Sequence, residues 1–205
     1  MVERRRMAEQ EQAQVLVAVG TDHHPFDRLV TWVDEWAAER PELTVLIQRG
    51  TSAPAEHCRT VDLLPHPELC ERFARADVVI SHGGPSTVMD ARMAGRLPIV
   101  VPRDPDRGEH VDDHQLRFAG HLRRHELAEV ADDRAEFHRL LEEATEFPER
   151  FSLPVDDGAI GGVVEFGRVV DELLGTVTPV VPSSPGPATV EAPAVEAAAA
   201  VAESA

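Results

Sequence analysis

The chain has 205 residues, enough for one domain with a substantial core, and a formal net charge of −17 at neutral pH. That acidic balance argues against a general nucleic-acid binder, whose affinity rests on basic side chains neutralising phosphates. Two cysteines without CxxC spacing, Cys58 and Cys70, argue against a disulfide framework, and no apolar run approaches the roughly 18 residues a membrane span needs. A cytoplasmic location is therefore expected.

Residues 1–13 carry Arg4-Arg5-Arg6 but no apolar stretch, and read as an N-terminal extension rather than a secretory signal. Residues 15–19 are a short β-branched run closed by Gly20, the pattern of a strand covered on both faces. Residues 26–40 place Phe26, Leu29, Val30, Val33, Trp36 and Ala37 on one helical stripe that Pro41 ends. Trp32 and Trp36, four apart on this helix, read as packing residues. The alternation repeats: a strand at 43–47 closed by Gly50, a weaker one at 60–63, a helix at 67–76, a strand at 77–80, a helix at 85–94, and a strand at 98–101. Helices at 112–124 and 134–145, with a short strand at 127–130 between them, complete the pattern, and a last helix is expected from 160 to 174. Strands alternating with helices predict right-handed βαβ units and an α/β fold, a Rossmann-like parallel sheet with helices on both faces. The core domain is taken as 14–175. Residues 176–205, rich in Pro and Ala without apolar periodicity, are expected to form a disordered tail.

Three stretches carry candidate chemistry. Ser81-His82-Gly83-Gly84-Pro85-Ser86-Thr87 joins a strand to a helix. Its glycines allow close backbone approach, Pro85 suits the first helical position, and the first-turn amides with the Ser86 and Thr87 hydroxyls would face a diphosphate. A plain glycine turn needs the same residues, and His82 can equally hydrogen-bond backbone and shape that turn. Gly20-Thr21-Asp22-His23-His24 ends the first strand, at the sheet edge where open α/β folds bind ligands. His23 and His24 read first as solvated loop residues. The third stretch, Pro102 to Gln115, has His110 and His114 four apart among carboxylates. Neither HExxH nor zinc-finger spacing is present, so no metal site is expected, and first-turn acids also favour the helix dipole. GxGxxG and GxxxxGK[ST] are both absent, which argues against a dinucleotide dehydrogenase and a P-loop NTPase.

Val17-Ala18-Val19-Gly20-Thr21, Phe26-Asp27-Arg28-Leu29-Val30, Ile47-Gln48-Arg49-Gly50, the stretch from Asp77 to Thr87, and Gly108-Glu109-His110-Val111-Asp112-Asp113-His114-Gln115 occur in family order. On these residues the chain resembles the C-terminal domain of family 28 glycosyltransferases. It is most similar to single-domain bacterial versions from capsular and exopolysaccharide synthesis, and to the small catalytic subunit of the two-subunit enzyme that extends dolichol-linked N-acetylglucosamine. The resemblance implies the C-terminal half of a GT-B fold, with a UDP-sugar as donor substrate and no cofactor. It implies that Gly20 and Thr21 line the cleft near the phosphates and that His82 and the residues from Gly83 through Gly84, Pro85 and Ser86 to Thr87 hold the diphosphate. Asp90 falls where the ribose hydroxyls are taken, and His114 and Gln115 where donor-sugar hydroxyls are contacted. Glu109 and His110 are expected at the cleft. The implied reaction is an inverting hexosyl transfer to a polyprenyl-linked saccharide acceptor. The general base, the acceptor site and the membrane contact are then supplied by a membrane-anchored partner subunit, and a non-catalytic UDP-sugar-binding or scaffold subunit is the alternative.

Overall fold

A computed structural model describes residues 12–154. The helix expected at 160–174 and the tail at 176–205 lie outside the described residues.

Six strands form one parallel sheet: β1 (Val15–Ala18), β2 (Val45–Gln48), β3 (Arg59–Val61), β4 (Val78–Ser81), β5 (Ile99–Val100) and β6 (Glu129–Val130). Their order is β3-β2-β1-β4-β5-β6. Among the described residues five helices connect and flank them: α1 (Asp27–Ala38), α2 (His66–Arg75), α3 (Pro85–Met93), α4 (His114–Arg124) and α5 (Arg134–Glu146). Two 3₁₀ turns, Pro105–Arg107 and Pro148–Phe151, have no counterpart in the periodicity of the sequence.

Side-chain alternation along a strand explains why β1 needs no polar face. Val15, Val17 and Val19 point to one side and pack with Phe26, Val33 and Trp36 of the α1 region and Phe137 and Leu141 of α5. Leu16 and Ala18 point to the other side, against Leu69 and Phe73 of α2 and Ala91 of α3. A smaller third cluster joins Val88, Val100, Phe118 and Leu122 under α4. Deleting Leu16 to Ala would leave a cavity in a fully buried layer, a loss of about 2–5 kcal/mol. Trp36 is buried and Trp32 packs beside it, 5.9 Å from Phe137 between ring centroids, as packing residues should.

Several boundaries differ from expectation. α4 begins at His114 rather than at 112, because the Asp112 carboxylate folds back to accept the His114 amide (3.1 Å). The strand expected at 98–101 keeps two laddered residues, since β5 meets only Ile80 and Ser81 of β4. Ahead of β1, Ala13 is buried in the α2 layer and Gln12 donates to Arg75 O at 2.8 Å. At the other end Phe151 is buried in the main cluster, and Leu97 and Leu153 amides tie residues 151–153 to the turn before β5. Among the described residues no helix is long and apolar enough to cross a membrane.

The strand order reverses between β1 and β4, where consecutive connections leave on opposite faces. In open α/β folds ligands bind at that point, in the crevice outside the carboxyl ends of the strands. The loops after β1, β4 and β5 meet at it.

Candidate functional site

The turn after β4 is organised by His82. Its amide and its ring Nδ1 both lie 3.3 Å from Ala18 O, so the Nδ1–H tautomer is the one that donates. The ring stands between two glycines. A Cβ on Gly20 would come within 2.6 Å of His82 Cε1, and one on Gly84 within 2.3 Å of Nε2. Gly20 also holds φ at +84°. At Gly20 and Gly84 the missing side chains make room for an imidazole of the protein itself. Burial, and then the Arg103 charge nearby, push the His82 pKa down to about 4, so the ring is neutral at pH 7. The geometry gives His82 the turn-shaping role.

α3 starts from this turn. Gly84 is its N-cap, Pro85 follows at the first position, and no side chain caps the end. The first amide with an intrahelical acceptor is Val88 N, which reaches Gly84 O, so the Ser86 and Thr87 amides at the positive end of the helix are unclaimed among the described residues. Ser86 is exposed and Thr87 half-buried, and neither hydroxyl has a partner there. Thr21, at the tip of β1, is exposed.

Arg103, just past β5, was not singled out by the sequence, yet it ties the edge together. Only 1% exposed, it donates to Val19 O (2.8 Å), His24 O (2.8 Å) and Glu109 O (2.9 Å), with its guanidinium carbon 4.8 Å from the Phe26 ring centroid. Its own amide donates to Gln115 Oε1 at 3.3 Å. Gln115 is therefore buried with its oxygen committed, leaving Nε2 as the remaining donor. Glu109 is also committed: both its oxygens accept from Arg28 (2.8 and 2.7 Å), and Oε2 accepts the Asp104 amide. It is a buried brace between α1 and the loop after β5, and with Arg28 and Gly108 it lines a cavity there.

Beside this brace the structure gathers the polar cluster that the sequence left dispersed. Asp22 Oδ1 accepts from the His24 amide (2.7 Å) and meets the His24 ring at Nδ1 (2.6 Å). Asp112 repeats the arrangement with His114, whose amide and Nδ1 both reach one carboxylate oxygen. His110 bridges the two acids, with Nε2 3.4 Å from Asp22 and Nδ1 3.5 Å from Asp112. The Asp112 amide donates to His110 Nδ1, and His110 Nε2 faces Asp22. Burial opposes ionisation of Asp22, but hydrogen bonds from His24 and the charges of His24 and His110 outweigh it and hold its pKa at about 2. Hydrogen bonds from His114 hold the Asp112 carboxyl below its ordinary value. Asp22 was missed although Asp-x-His occurs twice, at 22–24 and 112–114. That repetition was the available signal.

Asp90 lies farther along α3, its Oδ2 2.9 Å from His66 Nε2. Among the described residues three groups bring ligand atoms within 4.8 Å of one another and could hold a metal ion: Asp22/His23/His24, His66/Cys70/Asp90 and His110/Asp112/His114.

The chain matches the model of the glycosyltransferase family 28 C-terminal domain over residues 14–146. Two solved structures share its fold. The glycotransferase of kitacinnamycin aligns with a TM-score of 0.51 at 17% identity, covering 82% of this chain and 44% of that one. The calicheamicin glycosyltransferase CalG4 aligns at 0.50 and 17%, covering 82% and 45%. The chain thus spans less than half the length of either. No curated protein matches it. With the match extending over more than half of its residues, the chain belongs to glycosyltransferase family 28 and is built as the C-terminal half of a GT-B fold.

Proposed function

We propose that this domain is the donor-binding half of a UDP-hexose glycosyltransferase. The observation that carries the reading is the uncapped start of α3 at the switch-point crevice, with free amides at Ser86 and Thr87 and the rigid His82 turn behind them. A diphosphate seated there would meet fixed donors and the helix dipole, worth about 0.3–1 kcal/mol from the dipole and up to about 2 when partly buried. In an inverting transfer an acceptor hydroxyl loses its proton to a base and attacks the anomeric carbon while UDP leaves. Preorganised amides favour that step because the leaving diphosphate gains charge as the bond breaks.

Within this reading Gly20, Thr21 and the segment Gly83–Thr87 surround the phosphates, Asp90 takes the ribose hydroxyls, and His114 with the Gln115 Nε2 contacts the sugar. His110 sits at the cleft through its bridge between Asp22 and Asp112. The acceptor, a lipid-linked saccharide, and the base come from a membrane-anchored partner subunit, in cell-surface polysaccharide synthesis.

Calorimetry with UDP, UDP-glucose, UDP-galactose and UDP-N-acetylglucosamine tests the donor assignment. One UDP-hexose should bind more tightly than uridine, and transfer should require the partner. Equal affinities for uridine and UDP would overturn the diphosphate site. Binding without turnover in the reconstituted pair would leave a scaffold subunit instead.

A further inference from the structure

The loops after β1 and β5 are joined by two ties that act on different parts of the chain. Arg103 joins the backbones: one guanidinium nitrogen donates to both His24 O (2.8 Å) and Glu109 O (2.9 Å). Asp22 joins the side chains. Its Oδ1 accepts the His24 amide and meets the His24 ring, and its Oδ2 lies 3.4 Å from His110 Nε2. Both carboxylate oxygens are turned to protein groups, so Asp22 is placed to hold its neighbours rather than to touch a ligand.

What it holds leads on to the start of α4. His110 accepts the Asp112 amide at Nδ1 (3.3 Å), and the Asp112 carboxylate accepts the His114 amide (3.1 Å) and meets the His114 ring. The His110 and His114 rings stand edge to face, with centroids 4.6 Å apart. With its side chain only 10% exposed and both nitrogens engaged, His110 is held in one orientation and forms the wall against which His114 stands.

We propose, on the donor reading above in which His114 contacts the sugar, that Asp22 is a positioning residue for donor-sugar recognition. Through His110 it sets the placement of His114, while the diphosphate end of the site does not depend on it. The separation follows from the two ties. Removing the Asp22 carboxylate leaves Arg103, the Arg28–Glu109 pair and the His82 turn in place, so the fold and the start of α3 persist. A binding ring that loses its support is lost only to the group it recognises.

Calorimetry on the full chain, unmodified and as Asp22→Asn, compares uridine, UDP and whichever of UDP-glucose, UDP-galactose and UDP-N-acetylglucosamine binds most tightly. In the unmodified chain the hexose should tighten binding beyond UDP. Asp22→Asn should remove that gain, weakening the UDP-hexose by about tenfold and changing UDP by less than about twofold. Asp22→Ser, which keeps an acceptor for the His24 amide but is too short for His110, should act alike. In a His110→Gln background Asp22→Asn should add little, as expected of residues that act through one another. Thermal melting confirms that each variant is folded. An unmodified chain that binds UDP no better than uridine overturns the donor assignment, and the role of Asp22 with it. Where UDP binds as expected, the role alone is overturned by a hexose gain missing from the unmodified chain, by one that survives both Asp22 variants, or by losses that add in the His110→Gln background. Equal losses for UDP and UDP-hexose also overturn it, because they mark a general collapse of the loop.

Discussion

The turn after β4 and the loop after β5 lie side by side at the crevice and are held by opposite means. Residues 81–84 are fixed by shape: a neutral imidazole fills the space two glycines leave open. Residues 103–115 are fixed by charge: Arg103 binds three carbonyls and the Arg28–Glu109 pair closes the loop onto α1. The contrast teaches where a phosphate can be received. The His82 and Gly83 amides of the turn are spent on Ala18 O and Ser81 Oγ, and the free amides lie just beyond it at Ser86 and Thr87. The charged loop has spent its cation on carbonyl oxygens.

Breaking the wedge should have the largest effect. Gly84→Val drives a branched side chain into the His82 ring and should cost more than about 3 kcal/mol, read as a fall in melting temperature. The sharper form of this experiment is a double mutant. If His82 is what excludes a side chain, Gly84→Ala should be far better tolerated in a His82→Ala background, and additive losses would contradict the wedge. Arg103→Met tests the neighbouring loop. Leaving the Val19, His24 and Glu109 carbonyls without their donor should cost about 3 kcal/mol in chemical denaturation.

Acid should also tell the two regions apart. The folded pKa of His82, about 4, is below its ordinary 6.5, so the unfolded chain takes up a proton first as pH falls. Stability present above pH 6.5 is lost progressively down to about pH 4, by up to about 3 kcal/mol, and His82→Gln should flatten that window. Asp22 acts lower: its stabilisation is complete above pH 3.8 and is lost as pH falls through about 2. At the small end, His114→Ala should change stability by less than about 0.5 kcal/mol, since its ring pairs with exposed Asp112 and otherwise meets the edge of His110.

Much of the frame was legible because it is written locally. Strands β1, β2 and β4 are apolar runs, and the stripe of α1 announces its buried face. What escaped is what tertiary proximity decides. Arg103 looks like one more loop cation until the tips of β1 and β5 bring Val19 O and His24 O to it, 84 and 79 residues away in sequence. The bracing role of Glu109 was hidden because its partner, Arg28, is 81 positions earlier. The glycines were recognised, but the sequence does not show that the His82 ring turns back between them. The start of α4 was misplaced because acids at 112 and 113 suit a first turn as well as a loop that caps it.

The central claim is that the free amides at the beginning of α3 receive a diphosphate. An amide-resolved nuclear magnetic resonance titration with UDP, with uridine as the control, tests it most directly. The largest shifts should fall on Gly84, Ser86 and Thr87 with UDP and be absent with uridine. Shifts confined to other loops, or equal for the two ligands, would contradict it.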